Sequence, residues 1–137
     1  DAKAHAPEPG ELCAVKKLSE IIKEISDNKY EEIKFNNEDG LIVEKENGEY
    51  VSVDKLSVGT IDQLYLAFRL SIIKEISEEK IPIILDEAFA YYDEKRLENI
   101  LKYLSEKIDN QIVIFTCTQR EKNILNKLNI KYNYNEI

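Results

Sequence analysis

The sequence contains no methionine and no tryptophan, and it has only two cysteines, four glycines and three prolines among its 137 residues. Without methionine there is no initiator residue, so we expect a fragment or a processed product. Cys13 and Cys117 are far apart and form no C-x-x-C pair, which argues against a zinc site and dithiol chemistry and fits a reducing cytoplasm. We expect Cys117 to be a small hydrophobic residue at a buried strand end.

The chain also lacks a basic excess and long apolar runs. Its 19 Lys and Arg against 27 Asp and Glu give a formal net charge of −8. Binding of nucleic acid over the whole surface needs the opposite balance, although a local basic track or DNA contacts through a partner stay open. The longest apolar runs are about five residues, against roughly 20 for a bilayer span. We therefore expect a cytoplasmic protein without a membrane partner.

The length suits one domain. Residues 1–11 contain several Ala and Pro and the only histidine, His5. We expect them to be a tail or a fusion scar, with His5 as a tail residue rather than a metal ligand. Residues 12–137 are expected to form the folded lobe.

The N-terminal half predicts one helix and a small antiparallel sheet. Apolar residues at steps of three and four predict an amphipathic helix from Leu12 to about Ser26, which is either a surface helix or the stub of a coiled coil. Asn47-Gly48 predicts a two-residue type I′ hairpin turn with positive φ at both positions. The helix is expected to end at Asp27-Asn28, and the strands are expected at Tyr30–Phe35, Leu41–Lys45 and Glu49–Val53.

Further along the chain, strands and helices alternate. This order predicts right-handed crossovers and a mostly parallel sheet, hence an α/β fold with the antiparallel meander as an N-terminal annex. Two of the strands are apolar enough to be buried. The expected elements are strands at Ile81–Leu85, Gln111–Phe115 and Ile130–Tyr134, and helices at Asp93–Ile108 and Gln119–Leu128.

A loop of small residues leads into a long apolar helix between the two halves. The helix is expected from Ile61 to about Ser77, and the junction is Leu56–Gln63. Free N–H groups and the helix dipole make such a junction suitable for an anion, typically phosphate. The alternative is an ordinary N-cap with a turn glycine, which is the commoner case.

Polar side chains follow the ends of two predicted strands. Asp86 and Glu87 come directly after Ile81–Leu85, at the sheet edge where open α/β folds bind ligands. The first carboxylate is placed to hold Mg²⁺ and the second to orient a water molecule. A loop then leads to Asp93, whose ordinary role would be a helix N-cap. The next strand ends in Thr116-Cys117-Thr118-Gln119.

In combination, these motifs resemble the C-terminal half of an ABC-class ATPase head, a P-loop NTPase fold of the SMC/RecN/SbcC kind in which a coiled coil splits the head. Leu56–Thr60 matches the signature motif, Ile83–Glu87 matches Walker B, and Ala88–Asp93 matches the D-loop. The chain is also similar to the YhaN-like bacterial AAA-type ATPases. Their Asp-Gln-Leu-Tyr-Leu-Ala continuation and Phe-Thr-Cys strand end read here Asp62–Ala67 and Phe115–Cys117.

The resemblance implies ATP and Mg²⁺ as ligands and a second head as partner. Asp86 would serve Mg²⁺, Glu87 the hydrolytic water, and Asp93 the coupling between the two sites of a dimer. DNA and a nuclease subunit are further expected partners, in DNA repair or maintenance. The residues expected to contact, in trans, the γ-phosphate held on the opposing head are Ser57, Val58, Gly59 and Thr60.

Two departures limit this interpretation. The switch histidine that usually follows Phe-Thr-Cys is here Thr118, with Gln119 beside it; neither side chain takes up a proton as imidazole does. The Walker A motif G-x-x-x-x-G-K-[ST] is absent from the sequence. We therefore expect that the chain alone does not hydrolyse ATP and that it needs the N-terminal Walker A lobe of the same protein. The alternatives are a non-catalytic interaction module with this fold or, against the acidic charge, a nucleic-acid-binding domain.

Overall fold

The first helix lies against the small sheet and the long helix of the N-terminal half. The computed structural model describes residues 9–76 and 78–137, which form two compact units that meet in sequence at Ile76 and residue 77. Helix α1 (Pro9–Ile25) packs on the first strand and on the long helix. As predicted, it ends before Asp27-Asn28, and the structure shows that both of these residues adopt positive φ. The side chains that α1 buries are Leu18, Ile21, Ile22 and Ile25.

The predicted antiparallel meander is confirmed, with strands β1 (Tyr30–Asn36), β2 (Gly40–Lys45) and β3 (Tyr50–Ser52) in that order. The predicted type I′ turn is wrong. Gly48 N–H donates to Lys45 O at 2.9 Å and Gly48 has φ 78°. The loop is therefore a three-residue connection in which a type I turn is followed by a left-handed glycine bulge.

The long helix begins earlier than the sequence predicts. Helix α2 spans Val58–Ile76, after a short 3₁₀ turn at Val53–Lys55. Ser77, the expected last residue of α2, lies outside the described residues. The buried amide of Gln63 donates to the carbonyl oxygen of Ile25 at 3.3 Å, which ties α2 to the end of α1.

The second unit contains a two-stranded parallel sheet. Strand β4 (Ile83–Asp86) pairs with β5 (Ile112–Phe115), and helix α3 (Glu94–Lys107) makes the crossover. The predicted burial of both strands is wrong. In β4, Ile83 and Leu85 are buried whereas Ile84 is 65% exposed. Because side chains alternate along a strand, the described residues cover the face of β4 that carries Ile83 and Leu85 and leave the face of Ile84 exposed.

The predicted last strand, Ile130–Tyr134, is also wrong. Helix α4 (Arg120–Lys127) is followed by residues without strand pairing within the described part of the second unit. Tyr132 OH instead donates to Asn126 at 2.9 Å, and Lys122 Nζ lies 4.0 Å from the centre of the Tyr134 ring. Alternating apolar residues make a strand only where a neighbouring strand supplies backbone partners.

The division into a tail at residues 1–11 and a lobe at 12–137 stays a prediction. Residues 1–8, including His5, lie outside the described residues. The side chains of residues 9–12 also lie outside them, so the structure does not test the apolar position predicted for Leu12. In the part of the chain that the structure describes, no helix is long and apolar enough to cross a membrane.

Candidate functional site

The junction before α2 is built around the hydroxyl group of Ser57. Ser57 Oγ accepts from the Thr60 amide at 3.3 Å and lies 2.9 Å from Thr60 Oγ1, which in turn lies 3.4 Å from Tyr30 OH. Ser57 is thus an N-cap residue, the commoner of the two alternatives. Val58, Gly59 and Thr60 form the first helical turn rather than the predicted loop.

The N-terminus of α2 has one exposed side and one buried side. The side chains of Ser57 and Val58 are exposed, whereas Gly59 and Thr60 are buried. The first N–H groups of a helix lack intrahelical partners, and the dipole adds roughly half a positive charge. The geometry suits an anion presented to Ser57 from outside. Its assignment to a γ-phosphate in trans stays a prediction.

Asp86 and Glu87 lie at the carboxyl end of β4. Asp86 is the last residue of the strand, and its exposed carboxylate makes no hydrogen bond or ion pair to the described residues. Such a carboxylate suits Mg²⁺, which binds through one or two carboxylates together with waters and phosphate oxygens. Among the described residues, no cluster of three or more His, Cys, Asp or Glu could hold a metal without such added ligands.

Glu87 has an unusual backbone conformation. Its φ is 46°, and its amide donates to Phe115 O at 2.9 Å, which continues the sheet by one bond. A left-handed conformation costs a residue with a Cβ atom about 1–2 kcal/mol. Strain of this kind clusters at functional sites.

The carboxylate of Glu87 is held by the neighbouring strand end. The Cys117 amide donates to Glu87 Oε1 at 2.6 Å, and the carboxylate raises the pKa of the Cys117 thiol above its ordinary value, chiefly through a hydrogen bond. Cys117 is exposed, so the predicted buried position is wrong. The residue lies past the end of β5, where the backbone has left the sheet.

The loop after β5 is hydrogen-bonded to Glu121, an acidic residue that the sequence analysis did not identify. Glu121 Oε2 accepts from Thr118 Oγ1 at 2.8 Å and from Thr116 Oγ1 at 3.1 Å, and Glu121 is only 6% exposed. The signal was present: Thr118 and Glu121 have the Thr-x-x-Glu spacing of a capping box. Gln119 points elsewhere, with Nε2 3.5 Å from Tyr134 OH.

The segment that matches the D-loop motif, Ala88–Asp93, is held in place by contacts within the second unit. The rings of Phe89 and Tyr92 are buried and meet edge to face at 5.4 Å, and the Arg120 guanidinium donates to Tyr92 O. Asp93 is the N-cap of α3: it accepts from the Arg96 amide at 2.8 Å and pairs with the Arg96 guanidinium. Its role in coupling two heads stays a prediction.

The structure therefore brings some of the predicted residues together within the second unit. Asp86, Glu87 and the loop that carries Thr118 meet at the carboxyl edge of the parallel sheet. Gln119 and Asp93 lie in the same unit but are engaged by Tyr134 and Arg96. The junction residues, Ser57 to Thr60, belong to the other unit.

Comparisons with known proteins agree with this architecture. No protein-family profile matches the chain. The chain is 32% identical to the uncharacterized protein YhaN of Bacillus subtilis (strain 168), in an alignment of 107 residues that covers 75% of this chain. It spans 11% of the length of that relative.

Solved structures that resemble the chain include SMC ATPase heads. One, from work on ATP-driven dimerization and DNA-stimulated activation of SMC ATPases, has a TM-score of 0.67 at 18% identity, with 82% of this chain and 72% of that chain covered. The Pyrococcus furiosus Smc head bound to the C-terminal domain of ScpA has a TM-score of 0.62 at 18% identity, with 82% and 30% covered. The predicted fold class and resemblance are confirmed: the chain has the α/β fold of part of an SMC head.

Proposed function

We propose that this chain, which has the fold of an SMC ATPase head, is the C-terminal lobe of an SMC- or YhaN-like ATPase. With the N-terminal Walker A lobe of the same protein it binds and hydrolyses ATP, and ATP drives dimerisation of two heads. The observation that carries the proposal is the carboxylate pair Asp86-Glu87 at the sheet edge, where the Cys117 amide holds Glu87 at 2.6 Å.

Each residue has a distinct role in this proposal. Asp86 would hold Mg²⁺, whose charge neutralises the phosphates, and Glu87 would orient and polarise the attacking water. Thr118 and Gln119 stand at the switch position, but the Thr118 hydroxyl already donates to Glu121. Because no imidazole is present there, we expect slow hydrolysis.

Other residues would act across the dimer. Ser57, Val58, Gly59 and Thr60 would meet the γ-phosphate on the opposing head, since the exposed Ser57 hydroxyl and the helix N-terminus suit an anion. Asp93 would couple the two sites, which requires it to give up its bond to Arg96.

The need for another lobe is supported by exposed apolar surface. Among the described residues, Tyr65 and Phe68 on α2 are 61% and 49% exposed, and Ile84 on β4 is 65% exposed. Isolated exposed apolar residues are ordinary, but runs of them mark contact surfaces. The missing Walker A motif points the same way, because one helix terminus contributes about 0.3–1 kcal/mol whereas micromolar binding needs about 8 kcal/mol.

The remaining context is part of the proposal. We place the complete protein in the cytoplasm, consistent with two free cysteines, in DNA repair or maintenance with DNA and a nuclease subunit as partners. A non-catalytic interaction module is the second candidate, favoured by Thr118 in place of a switch histidine.

The test is co-production of this chain with its Walker A lobe. We expect ATP to dimerise the assembled heads in light scattering, Glu87→Gln to trap the dimer, and Ser57→Arg to abolish it. Glu106→Gln and Ser105→Arg, two exposed positions on α3, are matched controls that should behave like the unmodified heads.

Two results would contradict the proposal. Hydrolysis by this chain alone that depends on Glu87 would show that the Walker A lobe is not needed. Assembled heads that neither bind ATP nor dimerise would favour the non-catalytic module.

A further inference from the structure

The loop between β5 and α4 is held at one buried carboxylate. Glu121 Oε2 accepts from Thr118 Oγ1 at 2.8 Å and from Thr116 Oγ1 at 3.1 Å, and the side chain is 6% exposed. These donors are neutral hydroxyl groups rather than cations. A carboxylate buried in this way costs free energy unless its hydrogen bonds are well made.

The same hydroxyl groups shape the backbone above them. The Thr118 amide donates to Thr116 Oγ1 at 3.1 Å, which closes a tight turn over Cys117. At the top of that turn the Cys117 amide donates to Glu87 Oε1 at 2.6 Å. Glu121 is therefore connected to the carboxylate of Glu87 through hydrogen bonds to the two threonines and through the loop backbone that carries the Cys117 amide.

We propose that Glu121 is a positioning residue, which holds the Thr116–Thr118 loop so that the Cys117 amide keeps the Glu87 carboxylate in place. The loop geometry is a property of this chain alone. The consequence for ATP hydrolysis rests on the proposed function, in which Glu87 orients the attacking water.

The geometry selects the variants. Both threonine hydroxyls donate to the same oxygen of Glu121. A glutamine has one such acceptor oxygen in a side chain of nearly the same shape, so Glu121→Gln retains the hydrogen bonds. Glu121→Leu fills the site with an apolar side chain and removes every acceptor. The two variants separate the hydrogen bonds from simple packing of α4.

The first measurement is amide hydrogen exchange, followed by NMR on this chain. With Glu121→Leu, the Cys117 and Thr118 amides should exchange about tenfold faster or more, because their hydrogen bonds open locally. The Glu87 amide, which donates to Phe115 O in the sheet continuation, should keep its protection. Glu121→Gln should retain most of the protection at Cys117.

Controls and a second variant keep the test decisive. Glu98→Leu removes a carboxylate that binds Lys127 of α4 without touching the loop, and it should leave the Cys117 amide protected. If Glu121→Leu does not fold, Thr116→Val removes one hydroxyl of the turn and should still raise exchange at Cys117. Unchanged protection in the folded variant, or equal loss in Glu121→Gln and Glu121→Leu, would overturn the proposal.

The second measurement uses the chain assembled with its Walker A lobe. Glu121→Leu should lower kcat with little change in KM for ATP, and Glu121→Gln should restore most of kcat. Loss of protection at Cys117 without a fall in kcat would show that the loop does not position Glu87 for the reaction. If the unmodified assembly has no ATPase activity, the proposed function fails, while the exchange result still decides whether Glu121 holds the loop.

Discussion

Replacing Glu87 by glycine and, separately, by alanine isolates the backbone strain at the end of β4. Both variants lose the carboxylate and its bond to the Cys117 amide, so that loss cancels in their comparison. At φ 46° alanine keeps the left-handed penalty of about 1–2 kcal/mol, and glycine does not. Glycine loses about 0.5–1 kcal/mol through its more flexible unfolded state.

The expected difference is therefore about 0–1.5 kcal/mol in favour of Glu87→Gly. At Lys102, an exposed position within α3, the order should be reversed, with glycine less stable than alanine by about 1 kcal/mol. The assay is urea denaturation monitored by circular dichroism. The glycine and alanine variants at each position are fitted with the same m-value. A chain of this length should also show a Tm difference of up to about 6 °C.

A Glu87→Gly variant that is less stable than Glu87→Ala by about 1 kcal/mol, as expected at Lys102, would refute the strain. The strain at Glu87 has a functional interpretation. Glycine fits this backbone best but has no carboxylate, so the chain gives up stability to present one. Neither variant should support hydrolysis in the assembled heads, whatever its stability.

Three further outcomes follow from the N-terminal unit. Ser57→Ala should lower the unfolding free energy by about 0.5–2 kcal/mol in urea denaturation, because the Thr60 amide loses its cap, and Ser57→Asp should retain the cap. Ile22→Ala should cost about 2–5 kcal/mol in the same assay, since this side chain is fully buried. The Lys17 ammonium lowers the pKa of Glu75 below 4.5, so the pair stabilises the α1–α2 contact above that pH and the gain is lost as pH falls. Thermal melts of Glu75→Gln and the unmodified chain should therefore converge in acid; a constant gap would contradict this role.

The elements that depend on local pattern were predictable. The period of apolar residues located α1, turn residues between short strand candidates located the meander, and α1 ended at the predicted Asp27-Asn28 stop. The carboxylate pair after β4 was found in the same way, because an apolar run that ends in acids implies a strand edge. Asp93 was also placed correctly as an N-cap.

The errors at Ile130–Tyr134 and at Ile84 have one physical origin, because each depends on neighbours that are distant in the chain. Ile130–Tyr134 has the composition of a strand but has no partner strand in the described part of its unit. Burial of Ile84 required a layer on the second face of the sheet. The error at Gly48 is local: the register of β2 and β3 requires a three-residue loop, not the two-residue type I′ turn that an Asn-Gly pair predicts.

The sequence by itself determined which residues can carry charge and chemistry at the sheet edge, since a carboxylate after an apolar strand is a local property of the chain. Only the tertiary structure decided how they are held. The capture of Glu87 by the Cys117 amide joins residues 30 positions apart, and the burial of Glu121 depends on how α4 returns to the sheet. A hydrogen bond of 2.6 Å between residues 30 positions apart requires a close approach that no local pattern of the sequence provides.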